Sequence, residues 1–299
     1  MLPYTFSTLC FAAVLTGIAS AASVNKRQTI TPLSSSQVSA FKPYSYFAAT
    51  TYCPPSQTLQ WNCGANCAAN PDFKPVASGG DGNAIQYWYV GFSPSLNTVI
   101  VAHQGTNTSQ ILADLTDLNL ILGPLDSNLF PGVPSDVLVH SGFAQEHAKT
   151  AETILANIKD ALTKYSATSV TSVGHSLGAA LALLESVYLP LHLPSGITFK
   201  TVTYGLPRVG NQAFADYVDQ HDASLTHINN KEDPIPTVPW QFLGYRHPSG
   251  QVHIQDSGVW VACPGQENPS SQCTDGDVSL FRNNEADHDG PYDGVELKC

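Results

Sequence analysis

The chain has 299 residues, with 13 Lys and Arg against 24 Asp and Glu, a formal net charge of −11, and 42% hydrophobic residues. That hydrophobic fraction supplies a packed core, and the length suits one large domain or two small ones. An acidic chain without a Lys/Arg cluster is a poor partner for nucleic acid or anionic lipid surfaces.

At the N-terminus, "TFSTLCFAAVLTGIASAA" is an apolar run that ends in small residues. It reads as a secretory signal over residues 1–21, although no Lys or Arg precedes it. "SVNKRQ" follows, and its Lys26-Arg27 pair resembles a dibasic processing site. Residues 22–27 are therefore expected to be a short propeptide, with the mature domain over 28–299. A membrane anchor fits less well, because the apolar run is short and a processing site follows it. No transmembrane segment is expected, and the product should be secreted and extracellular.

Removal of the leader takes away Cys10 and leaves Cys53, Cys63, Cys67, Cys263, Cys273 and Cys299. An even count in a secreted chain argues for three disulfides, and six cysteines allow fifteen connectivities. Short spacings favour Cys63 with Cys67 and Cys263 with Cys273, leaving Cys53 for Cys299. No histidine accompanies these cysteines at zinc-ligand spacing.

Residues 28–50 read as a helical or irregular lead-in. "AIQYWYVGF" and "NTVIVAHQG" are β-rich runs joined by "SPSL", the pattern of a hairpin. "HSGFAQEHAKTAETILANIKDALTKY" predicts one long amphipathic helix with Ile154, Ile158, Ala161, Leu162 and Tyr165 on one face. "SVTSV", "ITFKTVTYG" and "LTHINN" read as strands, while "LGAALALLESVYL" and "NQAFADYVDQH" read as helices. Strand and helix alternate through residues 169–229, which predicts a mostly parallel sheet covered by helices in a single α/β domain.

"GHSLG", Gly174 to Gly178, falls where a strand becomes a buried helix, and it is the chain's one G-x-S-x-G pentapeptide. A serine on such a turn is pushed out at the top of the sheet, and the backbone N–H of the next residue, Leu177, becomes an oxyanion donor. Five residues alone are a weak signal, and the bland reading is a helix-capping serine. Ser176 would need a base and an orienting carboxylate, in the order Ser, Asp or Glu, His. His288 lies in the Gly/Pro-rich loop "EADHDGPYD", a setting that suits the base. Asp233 ends "HINNKED" and is followed by prolines that stiffen its loop. His247 and His253 are read as ordinary polar residues of a hairpin. Asp216, Asp219 and Asp222 are read as a solvated face. "DGDVSLFRNNEA" begins like a calcium loop but has Leu280 where Gly is required and ends on Ala286, so no metal is expected.

"VAHQGT", "VHSGF", "VGHSLGAALA", "TYGLPRVGN", "NKEDPIPTVP", "GYRHP" and "DHDGPY" occur in the order seen in fungal class 3 lipases. The chain resembles that family of Rhizomucor-lipase-like α/β-hydrolases over roughly residues 50–299, a stretch that contains all seven motifs. The resemblance implies an α/β-hydrolase fold, a single domain with a helical lid, and an acyl-enzyme mechanism that needs no cofactor. It implies Ser176 as nucleophile, Asp233 as acid and His288 as base, with Thr106 beside Leu177 in the oxyanion hole. His103 and Gln104 stand where the family usually has Phe and Arg, so the support of that loop must differ. His140, His175 and Arg208 are expected to hold structure.

"SQILADLTDLNLILGPLDSNLFPG" follows the oxyanion motif directly. Ile111, Leu115, Leu118 and Leu122 make a helical stripe, widened by Leu112, Leu120, Ile121 and Leu125. Such a stripe is commonly a core helix; the resemblance makes it the lid. A lid this apolar implies a lipid or ester substrate met at an oil–water interface, with triacylglycerol lipase as the leading expectation. A feruloyl or other carboxylesterase of the same fold, and a non-catalytic secreted lipid- or carbohydrate-binding module, are the alternatives. Asn107-Thr108-Ser109 is the chain's one N-glycosylation sequon.

Overall fold

A computed structural model describes Met1 and residues 29–106, 120–222, 224–279 and 281–299. The proposed leader, the lid residues Ile111, Leu115 and Leu118, and the sequon at Asn107 lie outside the described residues.

Among the described residues, thirteen strands form two sheets. They are β1 (Thr31–Pro32), β2 (Lys74–Gly79), β3 (Trp88–Ser93), β4 (Thr98–His103), β5 (Leu122–Pro124), β6 (Leu138–His140) and β7 (Ser169–His175). β8 (Thr198–Tyr204), β9 (Gly210–Asn211), β10 (Leu225–Asn230), β11 (Tyr245–Arg246), β12 (Gln251–Ile254) and β13 (Trp260–Cys263) complete the set. The main sheet runs β1-β13-β12-β10-β8-β7-β4-β3-β2. Its centre, from β12 to β4, is parallel, and antiparallel strands close both edges. β11, β9, β6 and β5 make a small antiparallel sheet beside it.

The sheet carries a core on each face, and the period-2 geometry of a strand explains the partition. In β4, Val99 and Val101 enter one core with Ile154, Ile158, Leu183 and Leu184. Ile100 and Ala102 enter the other, with Phe47, Val173 and Tyr204. Each fully buried Ile or Leu contributes about 1.5–3 kcal/mol. Ile154, Ile158, Ala161 and Leu162 share the buried side of the helix Ala151–Tyr165, as their spacing predicts. Tyr165 stacks on Phe92 at 4.8 Å. The helix Leu177–His192 is buried from Gly178 to Leu189, which accounts for its unbroken apolar run.

Four expectations are corrected. The long helix after His140 is two helices, Ser141–Ala148 and Ala151–Tyr165, because Thr150 leaves helical geometry at φ −126°. Leu122 is not part of a helical stripe: it opens β5 and pairs with His140, where Gly123 and Pro124 disfavour a helix. His247 and His253 do not share a hairpin, since His253 lies in β12, parallel to β10, and His247 follows β11 of the other sheet. Asp222 is buried rather than solvated, and its carboxylate accepts from Thr201 Oγ1 at 2.8 Å and from Ser224 N–H at 3.0 Å.

Three disulfides join Cys53 to Cys299, Cys63 to Cys67 and Cys263 to Cys273. The first spans 246 residues and ties the helical lead-in to the chain end. A closure that long constrains the unfolded chain most, so the double variant Cys53→Ser/Cys299→Ser should lose about 2–5 kcal/mol in denaturant melts. Cys63→Ser/Cys67→Ser, which opens a far shorter loop, should lose less.

Candidate active site

The parallel strands deliver their following loops to one edge of the sheet, the usual place for a site in an open α/β fold. The loop Gln104–Thr106 follows β4, Ser176 follows β7, Gly205 follows β8, and Asp233 lies three residues past β10. His288 arrives from a different direction, on the single-turn helix Glu285–Asp289 near the chain end.

Ser176 is the cap between β7 and the helix Leu177–His192, with φ 61° and ψ −128°. That backbone is costly for a residue with a Cβ and persists only where the surroundings impose it. Here they do. The Ser176 N–H donates to Tyr204 O at 3.0 Å. A Cβ at Gly174 would fall 2.0 Å from Gly178 O, and one at Gly178 would fall 2.2 Å from His103 O. The two glycines let strand, helix and oxyanion loop pass within backbone contact. Leu177 N–H heads the helix, with no carbonyl one turn earlier to accept it, and points its dipole end at the same place.

Asp233, His288 and Ser176 are all buried. His288 Nδ1–H donates to Asp233 Oδ2 at 2.8 Å, and Asp233 Oδ1 accepts the Ile235 N–H at 2.9 Å. Both carboxylate oxygens are thereby engaged, and the imidazole is held in the tautomer that leaves Nε2 without a hydrogen. Gly205, at φ +55°, is the floor under this pair: a Cβ there would lie 2.6 Å from His288 Cε1 and 3.0 Å from Asp233 Oδ2. The Ser176–His288 hydrogen bond is not closed, and Ser176 Oγ and His288 Nε2 are each buried without a partner among the described residues. The residue before Ser176 does touch the second of them, since the ring of His175 lies 4.3 Å from that of His288. Loose serine–histidine geometry is common before substrate binds.

The loop Gln104–Thr106, expected to form the oxyanion hole, is held by the two residues that depart from the family pattern. Gln104 donates its backbone N–H to Tyr87 O at 2.8 Å, and its side-chain oxygen accepts the Tyr87 N–H at 2.9 Å. His103, at the end of β4, has Nε2 3.6 Å from Oε1 of Glu185, and His147 Nε2 is 3.5 Å from the same oxygen. All three residues are buried. Burial alone would push the Glu185 carboxyl up, but His147 and His103 outweigh it and hold the carboxyl at about 2. The loop continues through Gly105, where a Cβ would fall 2.7 Å from Ser176 Cβ, to the half-buried Thr106.

The remaining sequence candidates have structural roles. His140 accepts the Phe143 N–H through Nδ1 and caps a helix, and burial lowers its pKa to about 4. His247 bonds Pro236 O, and His253 bridges Gln272 O and Lys231 O. Arg208 is buried between Glu267 and Asp275. Among the described residues no His/Cys/Asp/Glu cluster is arranged to hold a metal, and no helix is long and apolar enough to cross a membrane. Sequence reasoning missed Tyr52, Glu185 and the packing role of Gly205. Gly205 stood within the quoted "TYGLPRVGN", but Tyr52 and Glu185 carried no local signal.

Residues 100–243 match the family model described as lipase (class 3). The chain is 39% identical to the secreted mono- and diacylglycerol lipase MDL2 of Malassezia globosa over 216 residues, 71% of this chain and 69% of that protein. The structure of Rhizomucor miehei triacylglyceride lipase aligns with a TM-score of 0.76 at 25% identity, covering 90% of this chain and 98% of that one. The LIP2 lipase of Yarrowia lipolytica aligns with a TM-score of 0.78 at 26% identity, covering 91% and 98%.

Removing Glu185 would leave two buried imidazoles without the carboxylate they face. Glu185→Ala should therefore cost about 3–5 kcal/mol in denaturant melts. A loss below about 1 kcal/mol, the range of exposed pairs, would mean that the cluster does not anchor the loop.

Proposed function

The chain belongs to the class 3 lipase family and is a secreted serine ester hydrolase, and from that premise we propose that Ser176, His288 and Asp233 are its catalytic triad. The observation that carries this is the buried 2.8 Å bond from His288 Nδ1 to Asp233 Oδ2 beside the strained Ser176 turn. A bond in that place leaves His288 Nε2 to take the serine proton as Oγ attacks an ester carbonyl. Asp233 stabilises the imidazolium that forms. The backbone N–H groups of Leu177 and Thr106 receive the oxyanion, at about 3 kcal/mol each. His288 returns the proton to the departing alcohol, leaving an acyl-enzyme, and water then repeats the cycle. No cofactor takes part.

The substrates are long-chain acylglycerols at an oil–water surface. Ile121, Phe242, Leu243 and Phe281 are exposed apolar side chains. Gly244, which follows the 242–243 pair, lies against Leu122, which follows Ile121: a Cβ on Gly244 would sit 3.6 Å from Leu122 Cδ1. Ile121 also follows directly on the apolar segment that contains Ile111, Leu115 and Leu118, the residues read as the lid. Large apolar side chains left exposed in this way suit a lipid phase better than a soluble aromatic ester. The higher identity to an enzyme named for mono- and diacylglycerols supports partial acylglycerols beside triacylglycerol as substrates. We read residues 1–21 and 22–27 as the signal and propeptide that direct secretion.

Emulsified triolein, diolein and monoolein, with methyl ferulate as the aromatic control, test this reading. Turnover of the oleins should be abolished by Ser176→Ala, and Asp233→Asn should lower kcat about 10⁴-fold by releasing the wrong tautomer. Methyl ferulate hydrolysis without olein turnover would favour the feruloyl esterase alternative. Ester hydrolysis indifferent to Ser176→Ala would remove the proposal.

A further inference from the structure

Behind Ser176 runs a hydrogen-bond chain that the triad leaves out. His175 Nε2 lies 2.9 Å from the backbone oxygen of His288, and His175 Nδ1 lies 2.5 Å from the hydroxyl of Tyr52. A carbonyl oxygen can only accept, so Nε2 carries the hydrogen. In a neutral imidazole Nδ1 is then bare, and the Tyr52 hydroxyl donates to it. Every proton in the chain is assigned by this logic. Tyr292 gives the His288 carbonyl a second donor at 3.2 Å.

The other end of the chain rests on the oxyanion loop. A Cβ on Gly105 would fall 2.4 Å from Tyr52 Oη and 2.6 Å from His175 O. Tyr52 itself is pinned, since its N–H donates to Ala49 O and the next residue, Cys53, is disulfide-bonded to Cys299. We infer that Tyr52 and His175 are positioning residues for the base: the chain they form fixes the backbone of His288 and couples it to the loop Gly105–Thr106. The inference rests on the triad reading above.

Two features give the chain a task. His288 sits near the chain end on a turn of only five residues, Glu285–Asp289, which is a weak platform for a base. A displacement of about 1 Å at such a group costs up to about a hundredfold in rate. The bond from His175 fixes the turn at the catalytic residue itself. The second feature is charge. His288 must become an imidazolium during turnover, 4.3 Å from the His175 ring. Burial, and then the charge of His288, keep the His175 pKa well below its ordinary value. With Nδ1 occupied by the Tyr52 donor, His175 stays neutral and does not oppose the charge on the base.

Tyr52→Phe, His175→Gln and His175→Ala, assayed on soluble p-nitrophenyl butyrate, separate positioning from folding. Tyr52→Phe should lower kcat by about ten- to a hundredfold, with KM within about twofold of wild type. The rate at which a fluorophosphonate labels Ser176 should fall in parallel. His175→Gln can still donate to the His288 carbonyl, and should keep at least about tenfold more kcat than His175→Ala. The downfield proton signal of His288 Nδ1–H should shift or broaden in Tyr52→Phe, a readout that needs no turnover. An unchanged kcat in both Tyr52→Phe and His175→Ala would overturn the inference. So would an activity loss explained wholly by less folded protein, with kcat per labelled Ser176 unchanged. An active wild type with Tyr52→Phe and His175→Ala both indifferent fails this inference alone; a wild type without Ser176-dependent turnover fails the triad reading with it.

Discussion

The strained backbone of Ser176 is the constraint on which the rest of the site depends. A serine at φ 61° is held only because β7, the helix Leu177–His192 and the oxyanion loop converge on it at backbone distance. The same convergence aims the helix N-terminus, exposes Leu177 N–H and brings Gly105 against the serine. Relaxing the turn would move the proposed nucleophile and the proposed oxyanion donors together. Gly174 and Gly178 are therefore requirements of packing, and the strain is balanced by the two-sided core that fixes the sheet and its helices.

Around that turn the site is organised by histidines whose neighbours decide where each proton sits. His288 gives Nδ1–H to a carboxylate and keeps Nε2 bare. His175 gives Nε2–H to a carbonyl and receives a phenol at Nδ1. One is poised to change charge and the other is prevented from doing so. His103 and His147 serve a third purpose, flanking the buried Glu185 beneath the oxyanion loop. Identical side chains take different places, as proposed base, as spacer and as flank of a buried carboxylate, because burial and partner differ at each.

Much of this was legible in the sequence where the signal is local. The β-rich run of β4, the cap-and-glycine grammar of "GHSLG" and the prolines after Asp233 all depend on residues a few positions apart. The alternation of strand and helix through residues 169–229 predicted the parallel sheet that the structure contains. Local pattern failed where it was not decisive. Thr150 splits a helix whose apolar spacing runs straight through it, and Leu122 continues a helical stripe by count while Gly123 and Pro124 turn it into a strand. His247 and His253 read as one hairpin because nothing between them tells that β11 joins the small sheet while β12 pairs with β10. Tyr52 was invisible for a stronger reason: its partner is 123 residues away, and their meeting is set by sheet order. Glu185 read as one polar residue in an apolar helix until β4 and the helix Ser141–Ala148 placed two histidines against it.

The central claim is spatial: a nucleophile, a base and two amides surround one reacting carbon. A crystal structure of the protein inactivated with a long-chain alkylphosphonate would test it most directly. The account requires phosphorus bonded to Ser176 Oγ, the phosphoryl oxygen within hydrogen-bond distance of the Thr106 and Leu177 amides, and His288 Nε2 turned to the ester oxygen. A phosphonate bonded elsewhere, or a Ser176 adduct whose phosphoryl oxygen points away from both amides, would contradict it.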